Sequence, residues 1–148
     1  MAEETFSDLG RVEAIAKLYE GTPYRPFQSS WFETESKSCV TSHSRTFMEG
    51  IDFDLIYFPL KHLGYKAVTV GVSDILAMNA LPEQIMISIG VSAKLPVEAL
   101  QDLYEGIDFA CRELGVDLVG GDTTASMTGL VINITTIGRA KRKAISYR

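Results

Sequence analysis

Between Pro96 and Gly115 the apolar residues Val97, Leu100, Leu103, Ile107, Ala110 and Cys111 recur at helical spacing. Proline suits a helix start and glycine a helix stop, so the segment reads as a long helix to about Leu114 with one apolar stripe. Such a stripe has to be covered, and neighbouring segments can cover it. Glu83 to Val91 alternates over Ile85, Ile87 and Ile89, and Leu130 to Ile137 forms a longer β-branched run. A second helical stripe, Leu60, Leu63, Ala67, Val70, Ile75 and Met78, lies between Pro59 and Ala80, where Gly71 or the pair Ser73 and Asp74 could kink or re-cap it. This order predicts an α+β fold, with helices packed on one face of a mainly antiparallel sheet.

The remaining segments are less regular. Leu9, Val12, Ile15, Ala16 and Tyr19 suggest a first helix with one buried face, ended by Gly21 and Pro23. From Pro23 to Thr46 the pattern dissolves into Ser, Thr and charge, and no element is assigned there. Phe47 to Phe58 alternates in part and predicts a strand ending near Pro59. Val116 to Val119 predicts a short buried strand, and the basic tail from Arg139 to Arg148 reads most simply as a solvated segment.

The chain has 148 residues and 46% hydrophobic content, enough for one domain with a continuous core. Its formal charge of −5 argues against nucleic acid or an anionic membrane as the main partner. Cys39 and Cys111 stand far apart and suggest neither a disulfide framework nor a metal knuckle. With no apolar signal core at the N-terminus and no membrane-length apolar run, a cytoplasmic protein is expected.

Chemistry concentrates in Val119-Gly120-Gly121-Asp122-Thr123-Thr124, where an apolar strand runs into two glycines, a carboxylate and two hydroxyls. Glycine amides can approach phosphate oxygens closely, and a neighbouring carboxylate can hold Mg²⁺ between protein and phosphate. A turn with Gly120, Gly121 or Asp122 at positive φ accounts for the same residues. Asp74 lies in an apolar stretch, where a carboxylate needs a hydrogen-bonding partner, a cation or a capping role. Neither His43 nor His62 has a partner at telling spacing. Tyr104 and Glu105 fit the edge of a core and a surface.

Taken together, Glu49-Gly50-Ile51-Asp52-Phe53, Leu63-Gly64-Tyr65-Lys66-Ala67, Val72-Ser73-Asp74-Ile75-Leu76-Ala77-Met78-Asn79-Ala80 and Gly120-Gly121-Asp122-Thr123-Thr124 resemble the thiamine-monophosphate kinase family in wording, order and spacing. The match runs from about Glu49 to Arg148. Aminoimidazole ribonucleotide and selenophosphate synthetases and a hydrogenase maturation factor share that family's fold but match these segments less well. The resemblance implies an N-terminal α/β domain that forms a homodimer through its sheet, followed by a C-terminal domain. It implies transfer of the γ-phosphoryl of ATP to thiamine monophosphate with Mg²⁺. It assigns Asp74 and Asp122 to the metal, Gly121, Tyr104 and Arg148 to ATP, and Asp52 to the position of the family's substrate-contacting His.

The departures from the family pattern are equally specific. Its upstream Gly-Asp-Asp is missing, and the positions expected to read Thr-Thr-Asp are His43, Ser44 and Arg45, so a cation replaces a carboxylate. The chain stops at Arg148, where the family continues into the second domain. Divergence, splicing or a reading-frame error would each account for residues 23–46, and the abrupt return to family sequence near Phe47 favours the last two. The expectation is an incomplete ATP- and Mg²⁺-binding domain, inactive as a kinase on its own. The alternative is a non-catalytic dimerising module with the same ancestry.

Overall fold

The computed structural model of the chain describes residues 6–22, 30–33 and 38–146. Within them lie helices α1 (Phe6–Leu9), α2 (Arg11–Leu18), α3 (Leu60–Ala77) and α4 (Val97–Leu114). The strands are β1 (Ser30–Glu33), β2 (Ser38–Met48), β3 (Leu81–Val91), β4 (Asp117–Ala125) and β5 (Val131–Lys141). They form one sheet in the order β1-β2-β5-β3-β4. Pairings β1/β2, β2/β5 and β5/β3 are antiparallel, and β3/β4 is parallel. This is the expected α+β architecture.

Strand alternation decides which face α3 and α4 cover. Ile85, Ile87 and Ile89 on β3 and Ile132 and Ile134 on β5 are buried, and they share a core with Leu63, Ala67 and Val68 of α3 and Leu103, Ile107 and Ala110 of α4. Each large aliphatic side chain so buried contributes roughly 1.5–3 kcal/mol. The opposite face carries polar side chains: Ser44 lies 3.0 Å from Thr135 Oγ1, and Asn133 Nδ2 donates to Thr46 Oγ1 at 2.8 Å.

Helices α3 and α4 cross at closely apposed backbones. A Cβ on Gly64 of α3 would fall 2.1 Å from the Leu103 carbonyl oxygen, and one on Gly106 of α4 would fall 1.9 Å from that of Lys61. Only glycine permits this approach. The helix limits follow the sequence: Pro59 and Pro96 precede α3 and α4, and Gly115 closes α4 in the left-handed conformation at φ 65°.

Several expectations need correction. The first helix breaks at Gly10 (φ 74°), and of its stripe Val12 is exposed, while Ala14 is the buried residue of α2. Ser38 to Thr46, left without an element, belongs to β2 and pairs with β5 residue by residue through Met48. Alternate burial there is carried by Cys39 and Thr41, which escapes an apolar pattern. The strand expected from Phe47 ends at Met48, because Met48 and Asp54 carbonyls start tight turns. Residues 23–29 and 34–37 lie outside the described residues. Strand β5 continues through Arg139 into Lys141, so the basic tail begins as sheet. Helix α3 runs unbroken through Gly71 and Asp74. Among the described residues no helix is long and apolar enough to cross a membrane.

Gly106→Ala is expected to destabilise the fold by about 3 kcal/mol, because its methyl would meet backbone that cannot rotate away. Gly120→Ala, with nothing within 4 Å of its Cβ position, is expected to cost far less. Urea unfolding of both variants measures the contrast.

Candidate functional site

Helix α4 and the start of β4 border a cleft of about 560 Å³, lined by Tyr104, Cys111, Arg112, Val116 and Leu118 among others. Tyr104 is half-buried and packs against the core from the α4 side. Arg112 is tied back to Asp108 one turn earlier. The Cys111 thiol is pushed from 9.0 up to about 11, first by burial and then by the negative charges of Asp108 and Asp117. Glu105 points outward and pairs with Lys61 at 2.6 Å.

Strand β4 carries this border onward to Gly120, Gly121 and Asp122. It is a sheet edge, exposed at all nine of its residues, and so differs from the short buried strand expected. Neither glycine nor Asp122 has a positive φ, so no turn forms there. Gly121 is required for close approach instead, because its Cβ would fall 1.8 Å from the Ile87 carbonyl oxygen on β3. Asp122 Oδ1 accepts the Thr123 amide at 2.8 Å. Asp122 stands four residues beyond Leu118, about 13 Å along a strand. Tyr104, Gly121 and Asp122 therefore lie along one edge of the domain, with Tyr104 on the helix side and Asp122, level with Ser88 and Asn133, on the open face of the sheet.

Asp74 lies elsewhere. It projects from α3 toward β2, where its Oδ2 approaches His43 Nε2 to 3.0 Å without an aligned hydrogen bond. Beside it, the buried Thr41 and Thr136 hydroxyls have no hydrogen-bond partner among the described residues. Thr136 is the cross-strand neighbour of His43, and a Cβ on Gly71 would come within 2.6 Å of its hydroxyl. Asp74 is thus a mid-helix residue facing the sheet, and capping after Gly71 is not its role. Strand β2 is separated from β4 by β5 and β3, which places His43 about 14 Å from the β4 edge at ordinary strand spacing. Asp74 and Asp122 are not brought together.

This geometry bears on whether Mg²⁺ fits. Among the described residues no three His, Cys, Asp or Glu side chains are grouped to hold a metal ion. A cluster shared by Asp74 and Asp122 does not fit. Asp122 alone does suit an ion whose other ligands are phosphate oxygens and water, since Mg²⁺ commonly takes only one or two protein carboxylates. Asp52 turns its Oδ2 to the Met48 amide at 2.8 Å. Arg148 lies outside the described residues.

Residues 29–140 match the model of the family described as AIR synthase related protein, N-terminal domain. The chain belongs to this family. This AIR synthase related domain is also similar to thiamine-monophosphate kinases. It is 30% identical to that of Synechococcus elongatus over 140 residues, covering 93% of this chain and 42% of the relative. It is 34% identical to that of Bacillus subtilis over 97 residues, covering 66% of this chain and 30% of the relative. The chain thus spans less than half the length of these curated relatives. A solved structure described as AaThiL complexed with AMPPCP and TMP superposes with a TM-score of 0.88 at 23% identity, covering 96% of this chain and 46% of that one.

The AIR synthase related domain also has features that the sequence reading passed over. His43 acquires its partner only through β2, whose Ser- and Thr-rich sequence conceals the strand. The α4/β4 cleft needs the crossover from β3 through α4 to a parallel neighbour, which periodicity does not reveal.

Cys111 supplies a pH test. Between pH 9 and 11 an unfolded thiol has ionised while the folded one keeps its proton. The unfolded state then binds fewer protons, so stability falls as pH rises through that window. Cys111→Ala is expected to show a shallower loss than the parent protein in denaturant titrations across the window, with equal slopes below it.

Proposed function

We propose that this domain binds ATP in the α4/β4 cleft, as the nucleotide-binding part of a thiamine-monophosphate kinase. The observation that supports this most directly is the shared border: Tyr104 at a cleft large enough for a base, then Gly121 and Asp122 further along the same exposed strand. That span is comparable with an extended nucleoside triphosphate. Tyr104 would cover the base, the glycine backbone would admit the phosphates, and Asp122 would hold the Mg²⁺ that accompanies them. The metal would supply charge neutralisation on the phosphoryl oxygens, which is most of what phosphoryl transfer asks of a protein. A cytoplasmic homodimer, paired through the open sheet face, completes the reading. The kinase activity and its thiamine monophosphate acceptor belong to the proposal, supported by the similarity to kinases and by the bound AMPPCP and TMP of AaThiL.

One observation favours a non-catalytic module of the same ancestry. His43 occupies the carboxylate of Asp74, so a metal ion there would have to displace a side chain already 3.0 Å away.

Calorimetric titration with Mg²⁺ and a non-hydrolysable ATP analogue separates the two readings. Nucleotide binding predicts saturable heat, a loss of about tenfold in affinity for Tyr104→Ala, and loss of the Mg²⁺-dependent part for Asp122→Asn. The non-catalytic reading predicts no binding and no effect of either substitution. This 148-residue chain alone is expected to form no thiamine diphosphate, and steady turnover by it would refute that expectation.

A further inference from the structure

Two cations lie near one aromatic ring where β2 leaves the sheet. The Arg45 guanidinium lies 5.8 Å from the Phe47 ring centroid, and Lys66 Nζ, from α3, lies 6.0 Å from the same centroid. Lys66 is also 5.1 Å from the Phe58 centroid and donates to the Asp52 carbonyl at 3.3 Å. Arg45 and Phe47 are two residues apart on a strand and share its helix-facing side. Phe47 is buried, Lys66 is half-buried and Arg45 is exposed.

Cations placed beside a ring on a protein surface ordinarily take carboxylates as partners. Three acidic residues lie within reach along the chain, and each is turned to a backbone amide instead. Glu49 Oε2 accepts from Leu130 at 2.7 Å, Asp52 Oδ2 from Met48 at 2.8 Å, and Asp54 Oδ1 from Ile56 at 2.8 Å. Asp74, on the same side of the sheet, is taken by His43. Among the described residues no carboxylate pairs with Arg45 or Lys66.

We infer that Arg45 and Lys66 form a direct anion site, which takes the phosphate or diphosphate group of a small ester without a metal ion. The planar guanidinium can grip two phosphate oxygens, and the ammonium adds a point charge from the helix side. The aromatic ring keeps the lysine head in place and limits water on one side of the contact. The site is independent of the α4/β4 cleft, lying across the sheet from it.

The test is a titration of the metal-free protein, kept in EDTA at constant ionic strength, with inorganic pyrophosphate, followed by calorimetry and by ³¹P line broadening. Saturable binding is expected, weakened about tenfold by Arg45→Ala and by Lys66→Gln, and less by Arg45→Lys. Because Arg45 is exposed, Arg45→Asp serves as a second variant should the Lys66 substitution disturb folding. Absence of saturable binding would overturn the inference. So would equal weakening by Lys94→Ala, an exposed lysine elsewhere, or unchanged affinity in Arg45→Ala. The nucleotide titration with Mg²⁺ reads the cleft separately, so either proposal can fail alone.

Discussion

Helix α3 approaches its neighbours on two sides at glycine crossings, and the positions of the chemically interesting side chains depend on that closeness. Gly64 admits the backbone of α4, Gly71 admits the Thr136 hydroxyl of β5, and Gly138 on β5 makes room for Ile75 in return. With the helix axis so near the sheet, short side chains reach across. Asp74 meets His43 on β2, and Lys66 meets Phe47 at the end of the same strand. A methyl at these crossings would push α3 outward, and both contacts would loosen together.

The sheet then keeps different kinds of chemistry apart. Its β2 side carries His43 against Asp74 and, further along the strand, Arg45 and Lys66 beside the Phe47 ring. Its β4 side carries an exposed edge with Gly121 and Asp122 and the cleft bordered by Tyr104. Strands β5 and β3 lie between them, filled by Ile132, Ile134, Ile85 and Ile87. A buried aliphatic layer of that kind offers no path for a shared ion, because an unpaired charge within it would be costly. The separation of Asp74 from Asp122 is therefore a consequence of the strand order.

How much of this is legible in the sequence depends on how each element is buried. Helix α4 is legible almost to the residue, since Pro96, Gly115 and a large-residue stripe all agree. Strands β3 and β5 are legible at their isoleucines, but β5 is underestimated where Gly138, Arg139 and Ala140 continue the pairing without bulk. Strand β2 is hidden, because its inward positions are Cys39, Thr41 and His43, which carry little apolar signal. Strand β4 is legible only at its start, Asp117 to Val119, and the rest is hidden for another reason. It is an edge held by parallel backbone pairing, so its side chains have no reason to alternate. Asp122 is marked by its glycine-rich surroundings as well as by resemblance and Tyr104 by resemblance alone, whereas their common edge comes only from the β3-α4-β4 crossover. Arg45 stood out as a lost carboxylate, with no indication that Lys66 stood beside the same ring.

A lost carboxylate and a gained cation are different changes in electrostatic terms. Removing a metal ligand lowers affinity for the ion and leaves the rest of the phosphate's charge to be met elsewhere. Placing a guanidinium at the same position meets that charge directly, with hydrogen-bond donors in a fixed plane. Glu49, Asp52 and Asp54 each accept from a backbone amide, and among the described residues none forms an ion pair with Arg45. Strand β2 pairs with β5 from Ser38 through Met48 and holds Thr41 and Phe47 in buried positions. Arg45 thus sits on a strand paired along its length, which fixes where its guanidinium starts.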